Sequence, residues 1–197
     1  MKTGERISGQ VNAPLLRRAA TCCLLLAAVT AVANLGGLVL VTPGGVLPGW
    51  AVSGMLLVAS LALLLISRRA AGGGSRPRRN AFTALLHRLV VFGVGLSSLT
   101  GALGDLSATY HVLEPAGPNG CRAVVREYSF LFAGSGAVYA VGPIGIGTRA
   151  STWTTDDGYE PVADGSYQLR WEAGSGTLRL MGGIDPVWPR AHEVTCG

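Results

Sequence analysis

The chain has 197 residues, of which 49% are hydrophobic and only 14% are charged, and its mean hydropathy is +0.40. This composition excludes most ordinary soluble domains and favours a membrane protein. The net charge of +5 hides an uneven distribution: residues 1–104 hold ten basic side chains and one acidic one, whereas residues 105–197 hold six basic and ten acidic side chains. Because the basic residues flank apolar segments, the pattern argues against nucleic-acid binding.

Three apolar segments follow a basic N-terminal segment, residues 1–18. Residues 19–41 and 46–66 contain no charged side chain, and a helix of about 20 apolar residues crosses the hydrocarbon layer. The "TPGG" between them is typical of a turn and predicts an antiparallel pair of transmembrane helices. The third segment, 81–104, is interrupted near its start by His87 and Arg88, which can reach back to the headgroups. It is predicted to span as well, with a re-entrant or interfacial helix as the alternative.

The arginine-rich loop at 67–80 determines the predicted orientation. Short loops rich in Lys and Arg stay in the cytoplasm, whereas the turn at 42–45 carries no charge. We therefore expect a multi-pass protein of the cell membrane, with residues 1–18 inside and residues 105–197 outside. The "AVA" at 31–33 follows an apolar run, as a signal-peptidase site would. Because that run continues to Val41, we favour retention of the first span and keep cleavage as the alternative.

Small residues recur at four-residue spacing in the third segment, at Gly93, Ser97 and Gly101. Such a row lets another helix approach closely. It predicts packing against the first two helices, with a homodimer or a partner membrane protein as the alternative.

The polar region from 105 to 197 predicts β structure. In "YQLRWEAGSGTLRLMG" (167–182), apolar and polar residues alternate on both sides of a turn at Ala173–Gly176, which indicates a hairpin. A second hairpin is expected at 128–142 with its turn at Ala133–Gly136, and further strands at 122–127, 148–154 and 186–195. The predicted fold class is therefore α+β: three transmembrane helices followed by a small extracytoplasmic antiparallel β-sandwich or barrel of about six to eight strands.

Two cysteines lie in this region, Cys121 and Cys196. Outside the cytoplasm such a pair is expected to form a disulfide, which would close most of the domain. Neither has a second Cys or His at ligand spacing, so we expect no metal site and no cofactor.

Polar and aromatic residues offer weaker candidates for a ligand site. Within the acidic loop at 154–165, Asp156, Asp157, Glu160 and Asp164 could supply oxygen ligands to Ca²⁺, although their spacing departs from the EF-hand pattern and suits ordinary turns. Trp153 and Trp188 could stack on a sugar, whereas Trp171 and Tyr167 are expected in the core.

No catalytic residue is assigned. A Ser-His-Asp set could draw on His192 and Asp185, but no serine lies in a recognisable nucleophile motif.

We therefore expect a non-catalytic protein that presents its β domain for binding or interaction at the cell envelope, as an accessory subunit, sensor or protective factor. The alternative is an envelope enzyme or a Ca²⁺-dependent module that uses loop 154–165; a purely structural helix-packing partner is a third class. The expected partners are the lipid bilayer, a membrane protein or second copy, and an unidentified envelope ligand. The abundance of Ala, Gly and Arg is typical of a bacterial genome of high GC content.

Overall fold

The computed structural model describes residues 12–70, 80–183 and 186–196. It contains three long helices: α1 (Ala13–Ala33), α2 (Gly49–Ala70) and α3 (Ala81–Gly104). All three are long and apolar enough to cross a membrane. Most of the predicted cytoplasmic basic residues lie outside the described residues, namely Lys2, Arg6, Arg76, Arg78 and Arg79.

Helix α3 has the bounds expected from the sequence, but α1 and α2 do not. Helix α1 ends at Ala33, a short 3-10 turn covers Asn34–Gly36, and Gly37 adopts φ +75°, a conformation that favours glycine and stops the helix. The apolar residues that follow form two strands, β1 (Val39–Thr42) and β2 (Gly45–Pro48). The apolar run 19–41 is therefore part helix and part strand, and hydropathy alone cannot separate the two.

Eight more strands follow α3, and every strand pairing is antiparallel. The strands are β3 (Ala108–Val112), β4 (Arg122–Phe130), β5 (Ala133–Val141), β6 (Ile146–Asp156), β7 (Tyr167–Trp171), β8 (Gly176–Leu180), β9 (Val187–Trp188) and β10 (Ala191–Val194). One sheet has the order β2-β1-β6-β5-β4-β3 with β9 also on β6, and the other has the order β10-β8-β7. Together they form a nearly closed barrel-like structure, so the α+β class is confirmed.

The β1–β2 hairpin joins the sheet although it lies between two helices. Val39 pairs with Gly147 and Leu40 pairs with Ile146, so β1 continues the sheet beside β6. The sheet therefore includes residues 39–48, outside the predicted domain limits of 105–197. This pairing fixes the barrel to the ends of α1 and α2.

One predicted turn is misplaced. The β7–β8 hairpin turns between Trp171 and Gly176 as expected, but Ala133–Gly136 lies inside β5, and the β4–β5 turn falls at Leu131–Phe132. Gly136 has another role: a Cβ there would come within 2.0 Å of the Trp153 ring. Glycine thus makes room for a neighbouring indole rather than for a turn.

The barrel has an inner core and an outer apolar face. Its inner cluster consists of Leu113, Cys121, Ala123, Val125, Val138, Trp153, Val162, Leu178, Leu180, Val187 and Val194. A second cluster lies on the outer face and consists of Val39, Val124, Ala137, Tyr139 and Val141. Because Val39 comes from β1, this second cluster packs the barrel against the chain that connects α1 to α2.

Small residues bring the helices together, though not in the predicted row. Gly101 contacts Trp50 so closely that a Cβ would lie 2.4 Å from the Cβ of that residue. The hydroxyls of Ser53 and Ser98 lie 2.9 Å apart and join α2 to α3. Gly93, in contrast, is exposed, and a Cβ added there would have no atom within 4 Å. Ser97 is half-buried, and the interhelical hydrogen bond is made by Ser98 instead. The residues of α3 that contact the other helices are thus Val94, Ser98 and Gly101.

Cys121 and Cys196 lie at disulfide distance, with sulfurs 1.99 Å apart and Cα atoms 5.8 Å apart. The bridge ties the start of β4 to the segment after β10. It therefore joins the two sheets of the barrel.

Candidate ligand-binding cavity

A cavity of about 390 Å³ lies where the ends of the three helices meet the outer face of the sheet. We call it the junction cavity. Its volume falls within the range of small-molecule sites. Polar side chains contribute much of its wall: Asn34, Asp105, Tyr110, Arg126, Ser135, Tyr139, Arg149, Thr152 and Thr154.

Asp105 connects the helices to the sheet at one end of the cavity. It follows the last residue of α3, and its carboxylate accepts hydrogen bonds from the indole of Trp50, the hydroxyl of Tyr110 at 3.0 Å and the guanidinium of Arg126 at 2.6 Å. These donors come from α2, β3 and β4. One carboxylate therefore fixes three elements relative to the end of α3.

Arg126 compensates a charge that would otherwise be unfavourable. A carboxylate at a helix C-terminus opposes the helix dipole, whereas a cation there is favourable. Arg126 pairs with Asp105 and also donates to the carbonyl of Gly104, one of the last carbonyls of α3. The nearby carboxylate raises the pKa of Arg126 even though burial acts against it. The pair is electrically neutral.

Arg149 adds a positive charge to the cavity wall and has no counterion among the described residues. A β-bulge in β6 shifts the register, so that Val138 faces Ser151 while Tyr139 faces Arg149. Without this extra residue, Arg149 would share the inward orientation of Ser151 and Trp153, since side chains alternate along a strand. Within residues 12–70, 80–183 and 186–196, the Arg149 side chain makes no hydrogen bond or ion pair. The junction cavity therefore carries one net positive charge.

Neutral donors line the same cavity as this charge. Burial is the main reason that the pKa values of Tyr110 and Tyr139 are raised, so both phenols keep their protons at neutral pH. Ser135 and Thr152 line the same wall, and their hydroxyls make no hydrogen bond to any part of the chain that the structure describes. A guanidinium with several hydroxyl donors is suited to an anion.

A second, apolar groove lies between α2 and α3. It has a volume of about 620 Å³ and is lined by Trp50, Ala51, Gly54, Met55, Val58, Ala59, Ser98 and Leu99. Trp50 belongs to both the groove and the cavity. On α3 the groove ends near Leu99, and the cavity begins at Gly101. The two spaces therefore follow one another along the same pair of helices.

The predicted acidic loop does not converge on a site. Asp156 and Asp157 are exposed at the end of β6, Glu160 is half-buried, and Asp164 is exposed one turn later. Among the residues that the structure describes, no three His, Cys, Asp or Glu side chains are placed to hold a metal ion. The loop provides turns rather than a ligand cage.

The two candidate sugar-binding tryptophans are far from equivalent. Trp153 is only 2% exposed and belongs to the inner core, so it cannot stack on a ligand from solvent. The strand alternation of β6 turns it inward. Trp188 is 55% exposed in the short strand β9. Tyr167 and Trp171 pack against the core as expected.

A serine–histidine pair is present but enclosed. Ser151 Oγ lies 2.9 Å from His192 Nδ1, and His192 is 2% exposed and packs on the Trp153 ring. Burial lowers the pKa of His192, which keeps the imidazole neutral. Asp185, the third member considered from the sequence, lies outside the described residues. The histidine of the pair is enclosed among the core residues, whereas Ser151 is half-buried.

Sequence reasoning missed Glu127, which anchors the acidic loop from inside. Its carboxylate is 1% exposed and accepts hydrogen bonds from the backbone N–H groups of Val162 and Ala163, both at 2.8 Å. Burial raises the pKa of Glu127, while the two N–H donors and His111, 3.6 Å away, oppose the rise. The alternation of side chains along β4 could have identified it, because Glu127 lies at alternate positions with Ala123 and Val125, which face the inner core.

Comparison with family models, curated proteins and solved structures finds no match to this chain.

Proposed function

We propose that this chain is an integral membrane protein that holds a barrel-like binding domain against the outer surface of the cell membrane. Helices α1–α3 are the anchor, the N-terminus is cytoplasmic, and the domain acts by binding rather than by catalysis. The observation that carries the proposal is the pairing of β1 with β6. It places the α1–α2 connection and the end of α3 at the same end of the bundle, in contact with the sheet.

The arginine distribution supports the orientation. Arg68 and Arg69 lie in the last turn of α2, at the end away from the sheet. Positively charged segments are retained in the cytoplasm, so this end would be inside and the barrel outside. A disulfide between Cys121 and Cys196 fits an oxidising compartment.

The junction cavity is the binding site that the geometry favours. It carries a net positive charge and shares Trp50 with an apolar groove, whereas the carboxylates of the acidic loop do not converge. The Asp105 contacts hold its walls together, so a ligand would meet a preformed site.

Cysteine accessibility tests the orientation. In a background with Cys22→Ser and Cys23→Ser, a membrane-impermeant maleimide should label Ala173→Cys in intact cells and Ala70→Cys only after lysis. Ala173 lies in the exposed β7–β8 turn and Ala70 at the end of α2. The reverse labelling, or release of the chain by alkaline extraction, would refute the proposal.

Photo-cross-linking tests the binding face. A photoreactive residue at Thr152, in the cavity wall, should give defined adducts in native membranes. The same residue at Thr177, which is exposed on β8, serves as the control. Equal adduct patterns at both positions would contradict a binding site at the junction.

A further inference from the structure

We propose that the junction cavity and the apolar groove together hold one phospholipid with an anionic headgroup. The phosphate lies at Arg149 in the cavity, and one acyl chain lies along the groove between α2 and α3. This inference rests on the proposed function, because it requires the helices to be in a bilayer.

Charge complementarity determines the headgroup. Arg126 is already neutralised by Asp105, so Arg149 is the cation that remains available in the cavity wall. Guanidinium groups bind phosphate oxygens through charge-assisted hydrogen bonds, and the hydroxyls of Tyr139, opposite Arg149, and of Thr152 can add further donors. Asp105 is the acidic group of the cavity wall, and it already accepts three hydrogen bonds. A zwitterionic headgroup would bring an ammonium with no free carboxylate to meet it.

The groove argues for a lipid rather than a free anion. Its lining is almost entirely apolar, and on α2 it extends from Trp50 to Ala59. Nine helical steps correspond to about 14 Å. This length matches about half of a 30 Å hydrocarbon layer, which is the depth that one acyl chain occupies in one leaflet. Since Trp50 lines both spaces, one amphipathic molecule that passes its side chain can occupy both.

The position of Trp50 fits such a ligand. Tryptophan is enriched where apolar and polar regions of a membrane meet. The Trp50 ring packs on Gly101, and its N–H is directed to Asp105 on the polar side. A bound lipid would pass this residue at the level of its ester groups.

Native mass spectrometry of the detergent-solubilised full chain tests the proposal. The probes are phosphatidylglycerol, phosphatidylcholine with the same acyl chains, and inorganic phosphate. The wild type should retain one phosphatidylglycerol with about tenfold higher affinity than phosphatidylcholine. Arg149→Gln should weaken phosphatidylglycerol binding about tenfold, because it removes the hydrogen bonds of one charged group. The control Arg190→Gln, on an exposed arginine outside the cavity, should bind like the wild type.

A second pair of variants tests the groove. Ala59→Phe fills the groove and should weaken phosphatidylglycerol binding, whereas Val29→Phe, at an exposed position of α1, a helix that does not line the groove, should not. Equal affinity for both lipids, or equal binding by Arg149→Gln and Arg190→Gln, would overturn the proposal and indicate unspecific annular lipid. Phosphate binding that depends on Arg149 but not on Ala59, without a lipid preference, would overturn it in favour of a free-anion site.

These results are separable from the proposed function. If the chain shows no preference for phosphatidylglycerol while Ala173→Cys is still labelled from outside, the lipid site is refuted and the proposed membrane topology is retained. If alkaline extraction releases the chain, both fall.

Discussion

Replacing Asp105 by Asn should weaken the attachment of the sheet to the end of α3. Trp50 and Tyr110 donate to one carboxylate oxygen of Asp105, and Arg126 donates to the other. An amide of the same shape keeps a single acceptor oxygen. Whichever way it is oriented, its NH2 group then faces an N–H or O–H donor, and Arg126 loses its counterion.

The expected cost follows from the burial of the pair. A hydrogen bond to a charged group contributes about 1.5–3 kcal/mol, and breaking a fully buried ion pair costs about 3–5 kcal/mol. The side chains of Arg126 and Asp105 are 20% and 11% exposed to solvent. Water therefore still reaches the pair, and we expect Asp105→Asn to lower the free energy of unfolding by about 2–3 kcal/mol.

Denaturant unfolding of the full chain in detergent, followed by tryptophan fluorescence, measures this loss. Asp164→Asn, at an exposed carboxylate, is the matched control and should change the free energy of unfolding by less than about 0.5 kcal/mol. In the double variant with Arg126→Gln, the two losses should not add, because each single change already breaks the pair. A loss for Asp105→Asn no larger than the control, or strictly additive losses, would refute the reasoning.

Three further outcomes follow from the barrel. Replacing Cys121 and Cys196 by Ala should lower the free energy of unfolding by about 4.5 kcal/mol, since the bridge spans 75 positions; a wild-type midpoint that dithiothreitol leaves unmoved would contradict this. The wild type should lose stability as the pH falls below 6.5, because the unfolded chain takes up a proton that buried His192 resists, with its pKa lowered by burial. Urea unfolding at several pH values between 5 and 7.5 gives the free energy of unfolding as a function of pH. This free energy should change less with pH in His192→Gln than in the wild type, and an equal pH dependence would argue against a buried neutral imidazole. Leu131→Asn should raise the free energy of unfolding by about 0.5–1 kcal/mol and the thermal midpoint with it, because Leu131 is exposed at φ +55° and asparagine tolerates that conformation better. A lower thermal midpoint would contradict this prediction.

Apolar periodicity predicts the large elements of this protein well. Most of each uncharged run forms a long helix, α1 or α2, and the alternation at 167–182 corresponds to a hairpin with its turn in place. Both signals are local, since each depends on residues within one element.

The junction cavity could not be predicted in the same way, because it depends on contacts between distant segments. Arg149 faces the cavity only because a β-bulge in β6 shifts the alternation of its side chains. Regular alternation along the strand would place Arg149 on the inner face of the barrel, beside Ser151. Asp105 appears as the first acidic residue after an apolar run, and nothing nearby in the sequence identifies its three donors. Likewise, the short apolar stretch at 39–42 becomes a strand because β6 offers it an edge.

The β1–β2 hairpin also affects the order in which the chain can assemble. During synthesis, Val39 leaves the ribosome 147 − 39 = 108 positions before its partner Gly147. At about 5–20 residues per second, this gap lasts about 5–20 s. Throughout that interval β1 lacks its β6 partner, and an unpaired strand edge is a hazard for aggregation. The barrel can therefore be joined to the α1–α2 connection only after β6 has been made, late in synthesis.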